Sequence, residues 1–492
     1  MTNMPLLSLL FLTLPLGAAL TWLLPRPEWA KRIALATALL DLCFALAVIY
    51  RFDPSQPGFQ LVEQARWIPT LNIQYMVGVD GISLLFLPAT ILLFIGVILA
   101  SWNSVTKLPR LYYSLLLVLE TATLGIFCSL DTMLFFFFWE LSLIPIYFLV
   151  SLWGVGPNRR YAAVKYILVM VAGGIPLLFG FILLAFTHAT SGGGLVFDLP
   201  TLLATPVPAR MQLAIFILLL LGFAVKIPVF PLHTWLPLVA MEGPAAVIAL
   251  LVGIKLGAYG LIRFAIPLAP QAAQQMHWLL VALGTLGVIY GAVAALAQTN
   301  LRRMLAYASL SHVGLVVLGI ASFDLQGLQG SVLQLLNFTL AAGGGFLLIG
   351  ALHHRIGSTD LLSLGGAARS MPLLASFFLL FGFAGMGMPG TSGFPAELLI
   401  LLSAFKHHIG AGLAALFAMV LGTAYFFSLY RKAFFGPANN PVVASAMDLR
   451  PRELGVAIVF AFLILSVGFY PSAVLDVIKP AGEAWVTQLQ KH

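Results

Sequence analysis

The chain has 492 residues, of which 61% are hydrophobic and only 9% charged. A soluble domain carries about 25% charged residues, so this composition, with a mean hydropathy of +1.02, excludes a soluble globule and describes a polytopic membrane protein. The formal charge of +8 points to loop topology rather than to nucleic acid, because the basic residues gather in alternate loops.

Apolar runs recur along the whole chain, and at roughly 20 residues per span there is room for about 14 transmembrane helices. Continuous rather than alternating runs exclude a β-barrel, which leaves an all-α polytopic fold. Met1–Leu24 lacks a basic n-region and a small-residue cleavage site, and reads as the first retained span. Further spans are read at 33–50, 82–101, 112–129, 132–152, 163–187, 211–232, 244–265, 277–298, 303–321, 330–353, 372–403, 410–430 and 454–470. Sorting Lys and Arg by alternate loops places Arg26, Lys31, Arg32, Lys107, Arg110, Arg159, Arg160, Arg302, Arg303, Arg355, Arg369, Arg431, Lys432, Arg450 and Arg452 on one side. The other side keeps Arg51, Arg66, Arg210, Arg263, Lys406, Lys479 and Lys491. The positive-inside rule makes the first side cytoplasmic and puts both termini, His492 included, on the non-cytoplasmic side.

Two spans are interrupted. Leu219–Pro237, LLLGFAVKIPVFPLHTWLP, carries Lys226 beside Pro228 and Pro231, each of which removes a helical hydrogen bond. Leu379–Leu399, LLFGFAGMGMPGTSGFPAELL, repeats Gly-Phe-Ala, then has Pro389, Pro395 and a lone Glu397. A second echo pairs AGGIPLLFG (Ala172–Gly180) with AGGGFLLIG (Ala342–Gly350). Broken helices at matching places in two halves are the mark of an ion-handling fold with internal repeats. The expected division is residues 1–110 for helices 1–3, 111–266 and 267–432 for two inverted five-helix repeats, and 433–492 for a last span and tail.

Charges inside a membrane are costly and functional by default. Glu140, Lys226 and Lys255 each sit ~14–17 Å into a roughly 30 Å core, so they share one plane. Glu397 and the histidine His312 extend the series, while Glu120 and Lys165 lie nearer span ends and read equally as helix anchors. Approach of an opposite charge changes the proton affinity of a buried acid or lysine, and a chain of such groups can therefore pass protons. The alternative for each is a charge that only fastens helices together, and for the aromatic run Phe135–Trp139 a packing surface. Cys43 and Cys128 stand alone, with no CxxC, no cluster ligand set, no metal motif and no GxGxxG or P-loop; no cofactor site is legible in this chain.

The segments LFFFFWELSLIPIYFL (Leu134–Leu149), WIPTLNIQYMVGVDGISL (Trp67–Leu84), KIPVFPLHTWLP (Lys226–Pro237), GIKLGAYGLIRF (Gly253–Phe264) and AQTNLRRMLAYASLSHVG (Ala297–Gly314) carry a resemblance. They resemble the M-type antiporter-like chains of the proton-pumping NADH:quinone oxidoreductases, respiratory complex I. The resemblance implies 14 helices with two inverted five-helix repeats, pump residues at Glu140, Lys226, Lys255 and Glu397, and a bacterial inner membrane. It also implies NADH, FMN, iron–sulfur clusters and quinone in partner subunits, among them L-type and N-type antiporter-like chains. Glu397, where the L and N types have a lysine, favours the M type. The same fold serves multisubunit cation/proton antiporters and membrane-bound hydrogenases, which stand as the alternative. Three departures bear on the relay: LPLVAMEGPA (Leu236–Ala245) in place of LPDAHxEAPT, FTLA (Phe338–Ala341) in place of HGLS, and TNLRR (Thr299–Arg303) in place of TDLKR. Phe338 takes out a titratable group between Lys255 and Glu397, so water has to cover that gap.

Overall fold

The computed structural model describes residues 4–190, 194–205, 207–438 and 440–490; Lys491 and His492 lie outside them. Among the described residues twelve helices are long and apolar enough to cross a membrane, and the shorter Phe86–Ala100 and Pro372–Gly385 bring the spans to the fourteen expected. In chain order these are α1 Leu6–Leu23, α2 Trp29–Arg51, α3 Phe86–Ala100, α4 Pro109–Cys128, α5 Thr132–Trp153, α6 Arg159–Thr190, then α7 in two pieces, Ala209–Lys226 and Trp235–Glu242. They continue as α8 Ala245–Leu268, α9 His277–Leu296, α10 Leu301–Ala321, α11 Leu325–Ile356, α12 in two pieces, Pro372–Gly385 and Gly393–His407, α13 Ile409–Phe434 and α14 Pro451–Phe469.

Polar caps start the helices where the chain turns back. Asp131 accepts from Met133 N at 2.9 Å to open α5, Asn300 from Arg302 N at 2.9 Å to open α10, and Asp324 from Gly327 N at 2.8 Å to open α11. Such caps satisfy N–H groups that the first helical turn leaves unpaired. One pairing occurs twice. Thr132 N donates to Phe197 O at 2.9 Å and Leu199 N to Leu130 O at 2.7 Å, around Asp131 and Asp198. Leu301 N likewise donates to Thr359 O at 3.1 Å and Leu361 N to Thr299 O at 3.0 Å, around Asn300 and Asp360. Five spans separate the two, so they lie at opposite ends of the bundle.

Loops that alternate in sequence meet in space. At one end Asn158 N donates to Glu242 at 2.7 Å and Arg302 Nη1 to Met241 O at 3.1 Å. At the other, His407 contacts Asp324 at 3.1 Å and Asn72 reaches Leu195 O at 2.9 Å. Two charges counted as loop residues are in fact buried: Arg302, held by backbone carbonyls, and Arg263, whose Nη1 donates to Asp80 at 2.7 Å. Glu242, retained from the family pattern, ties the start of α6 to the end of α7.

Two elements extend the expected plan. An antiparallel hairpin, β1 Gln60–Ile68 and β2 Ile73–Val79, fills the connection between α2 and α3. The expected C-terminal tail is a helix, α15 Ser472–Gln490, which buries Ile478, Ala481, Trp485 and Leu489. It crosses the ends of other helices: Trp485 Nε1 donates to Ile262 O at 2.8 Å, and Gln274 to Leu489 O at 2.7 Å.

Candidate functional site

Three interruptions place the candidate residues. In α7 the helix stops at Lys226, and in α12 it stops at Gly385, as the prolines foretold. The third was not foretold: α8, read as continuous, opens at Ile254–Lys255 between two glycines, Gly253 and Gly257. A break in hydrocarbon frees carbonyls that must find donors. Each break has one. Trp235 Nε1 donates to Val225 O at 3.0 Å, Thr339 Oγ1 to Gly253 O at 3.2 Å, and Asn337 Nδ2 to Ala384 O at 3.1 Å. In α11, Phe338–Ala342 forms a π-turn against the α8 break, a distortion that recurs at functional sites.

At the first break Lys226 Nζ donates to Ser142 Oγ at 2.9 Å and stands 3.9 Å from the centre of the Trp139 ring. Glu140, the next residue, is within electrostatic reach of Lys226 but outside ion-pair distance. Its Oε1 is buried without a hydrogen bond. Gly174 of α6, from the repeated AGG motif, gives it room, since a Cβ there would overlap the carboxylate. Glu140 also lines an open apolar groove with Trp67, Phe137 and Ile144, so this acid lies between the lysine and the outer face of the bundle.

A cavity of about 30 Å³ lined by Thr123, Ser142, Tyr166, Lys226 and Ile254 leads from Lys226 toward the second break. There Lys255, 5% exposed, donates to Ser309 Oγ of α10 at 2.6 Å and faces the Phe338 ring at 5.7 Å. No acid pairs with Lys255 among the described residues. Beyond it, a cavity of about 50 Å³ is lined by Ser309, His312, Gln334, Asn337 and Phe338. Room for one water requires ~10–15 Å³, so each cavity is large enough to admit a bridging water.

At the third break Glu397, 1% exposed, lies 3.9 Å from His312 Nε2 and accepts from Gln334 Nε2 at 3.3 Å. Its Oε2 has no partner, and Gly387, at φ 64°, faces it where a Cβ would not fit. Ser392 Oγ donates to Asn337 Oδ1 at 2.7 Å and fixes the loop.

The structure thus brings Glu140, Lys226, Lys255, His312 and Glu397 into one succession. It does not bring in the other two candidates. Glu120 lies mid-helix in α4, not near a span end, and is buried at 0% exposure beside Asp41. Lys165 in α6 is half-buried and forms no side-chain hydrogen bond or ion pair among the described residues. Residues that sequence reasoning missed are Trp139, Ser142, Ser309, Gln334 and Asn337. Trp139 had a signal, being a large aromatic next to a buried acid; the others are ordinary polar residues whose partners come from distant helices.

The sequence profile described as NADH:quinone oxidoreductase/Mrp antiporter, TM, matches residues 129–422. NAD(P)H-quinone oxidoreductase chain 4 1 of Synechococcus sp. strain JA-2-3B'a(2-13) is 38% identical over 95% of this chain and 90% of its own length. NADH-quinone oxidoreductase subunit M of Pseudomonas aeruginosa is 35% identical over 94% of each. A chain of respiratory complex I from Thermus thermophilus with bound NADH superposes with a TM-score of 0.90 at 31% identity, covering 99% of this chain and 100% of that one. The chain belongs to the NADH:quinone oxidoreductase/Mrp antiporter transmembrane family.

Proposed function

We propose that this chain is the M-type, proton-translocating antiporter-like subunit of an NADH:quinone oxidoreductase, respiratory complex I. The observation that carries the reading is the succession of buried ionisable side chains, with Lys226, Lys255 and Glu397 at or just beyond helix breaks and small cavities beside Lys226 and His312. Lys226 and Lys255 accept and release protons at the first and second breaks, and Glu397 takes over at the third, with His312 between. Helix packing alone explains neither the breaks nor a buried lysine without an acid partner.

Electron transfer belongs to partner subunits holding FMN, iron–sulfur clusters and the quinone site; this chain supplies the proton path. L-type and N-type antiporter-like chains are the expected neighbours. The groove beside Glu140 supports the reading that a neighbour's charge acts on the row at this acid. The twice-occurring bridge, around Asp131/Asp198 at one end and Asn300/Asp360 at the other, supports two inverted units spanning 111–266 and 267–432. Likeness to bacterial relatives supports a bacterial inner membrane, and the loop charges favour Arg159 inside and both termini outside. Glu120 and Lys165 are not on the row.

Purification of the intact complex tests the assignment. Flavin and iron–sulfur subunits that co-purify with this chain, and proton uptake that depends on NADH oxidation, support it. A complex without redox subunits that exchanges cations for protons overturns it in favour of the antiporter class.

A further inference from the structure

Away from the row, α1, α2 and α4 enclose a second pair of acids. Asp41 of α2 and Glu120 of α4 are both 0% exposed. Thr13 Oγ1 of α1 donates to Asp41 Oδ1 at 3.4 Å. Asp41 Oδ2 and both carboxyl oxygens of Glu120 have no hydrogen-bond partner, and among the described residues no Lys, Arg or His bonds to either acid. The two lie close enough to feel each other's charge.

Two carboxylates in low dielectric without a cation cannot both ionise. One proton resolves this, because protonating either carboxyl removes one of the two buried charges. The other groups facing the pair define its access. Toward the hairpin end lie the Cys128 thiol, within reach of both Glu63 and Asp41, and Glu63 itself on β1. Glu63 accepts from Leu7 N and Ser8 N, each at 2.8 Å, and from the Ser8 hydroxyl, which lies 2.9 Å from Tyr75 Oη. Ser8 and Thr13 are five residues apart on α1, a rise of ~7.5 Å. On the opposite side, Thr21 and Ser114 hydroxyls meet at 2.6 Å.

We propose that Asp41 and Glu120 form a proton-binding site of their own, separate from the mid-membrane row, holding one proton between the two of them and loaded from the Glu63 end. The proton sits on an oxygen of one carboxyl and leaves the other as the single buried charge. The site offers five oxygens, four from the carboxyls and Thr13 Oγ1, and among the described residues no third acid, cysteine or histidine joins them as a metal ligand.

Infrared difference spectra of the intact complex in vesicles, recorded between acid and alkaline buffers, test this. A protonated-carboxyl stretch that titrates and shifts in heavy water is expected in the parent and absent from both Asp41→Asn and Glu120→Gln, while the bands of the row's acids remain. Thr13→Val, a near-isosteric change, moves that stretch to higher frequency by removing a hydrogen bond. If either acid variant fails to assemble, Thr13→Val decides alone, and an unmoved spectrum overturns the proposal. Identical titrating bands in parent and acid variants overturn it as well, as does a band that responds to sodium at fixed pH.

Discussion

Lys226 stands 3.9 Å from the centre of the Trp139 ring, closer to an aromatic face than to the carboxylate that follows it in sequence. A desolvated ammonium over an indole gains ~2 kcal/mol, so the ring holds part of the lysine's charge while Glu140 remains free to respond to other charges. This differs from a closed ion pair, in which a change at Glu140 would first have to break a bond. Each factor of ten in proton affinity corresponds to about 1.4 kcal/mol. Trp139→Leu is therefore expected to lower proton uptake about tenfold at unchanged redox rate, with Trp139→Phe intermediate because its ring is a weaker cation acceptor. Uptake by the Leu variant equal to the parent's would reduce Trp139 to packing.

Phe338 lies with its ring 5.9 Å from that of His312 and 5.7 Å from Lys255 Nζ. It lines the cavity of about 50 Å³ shared with His312 and Gln334, large enough for water to do what an imidazole would. Phe338→His should leave pumping close to the parent rate. A parent that is inactive and is revived by this change would show that the relay had been lost.

Asp324 gives a pH dependence outside the spans. Its burial raises the carboxyl's proton affinity, but the Ser403 hydroxyl at 2.6 Å, Gly327 N–H and His407 outweigh that and hold the carboxyl below the usual range. A depressed value in the folded state contributes stability that is present above the unfolded carboxylate range and is lost as pH falls through the folded value. Removing the hydroxyl donor with Ser403→Ala raises the folded value and narrows the gap. Acid-induced loss of assembled complex should then begin at a higher pH than in the parent; an unchanged midpoint would detach Ser403 from Asp324.

Sidedness follows from the loop charges. Cysteines replacing Arg159 and Arg66 should react with a membrane-impermeant reagent from the cytoplasmic and outer faces respectively. Reaction of the position-159 cysteine from the outer face alone would invert the topology. Arg302, first grouped with these, is unsuited as a probe because it is 2% exposed.

Hydropathy and proline made much of this legible. The fourteen spans, the breaks at Lys226 and before Glu397, and the family itself were readable because apolar length and Pro-rich interruptions are local signals. The α8 break at Lys255 was not, since no proline marks it: its freed carbonyl is satisfied by Thr339, 86 residues away. Ser309 was invisible for the same reason, being one serine among many until α10 packs it on Lys255. Glu120 was misplaced toward a span end, and Lys165 stayed a candidate beside the anchor reading, because the sequence gives depth along a helix but not the direction in which a side chain faces. The hairpin and α15 escaped a reading tuned to apolar runs, the helix because it is amphipathic and buries only one face.

The central claim is that Glu140 and Lys226 exchange charge states to drive the row, and neutral, similarly sized replacements test it most directly. Among the described residues Glu140 has no ion-pair partner within 4.0 Å, so Glu140→Gln leaves no orphaned buried cation, whose cost of several kcal/mol would confound folding with function. Lys226→Met likewise keeps the length of the side chain. Moving one proton against 100 mV needs about 2.3 kcal/mol, which neither variant can transmit through a residue that no longer titrates. The measurement is proton uptake by vesicles containing the intact complex, read beside redox rate and amount assembled. Both variants are expected to assemble normally and to lose most of their proton uptake; normal assembly with normal uptake in both would contradict the account and leave the two residues as ties between helices.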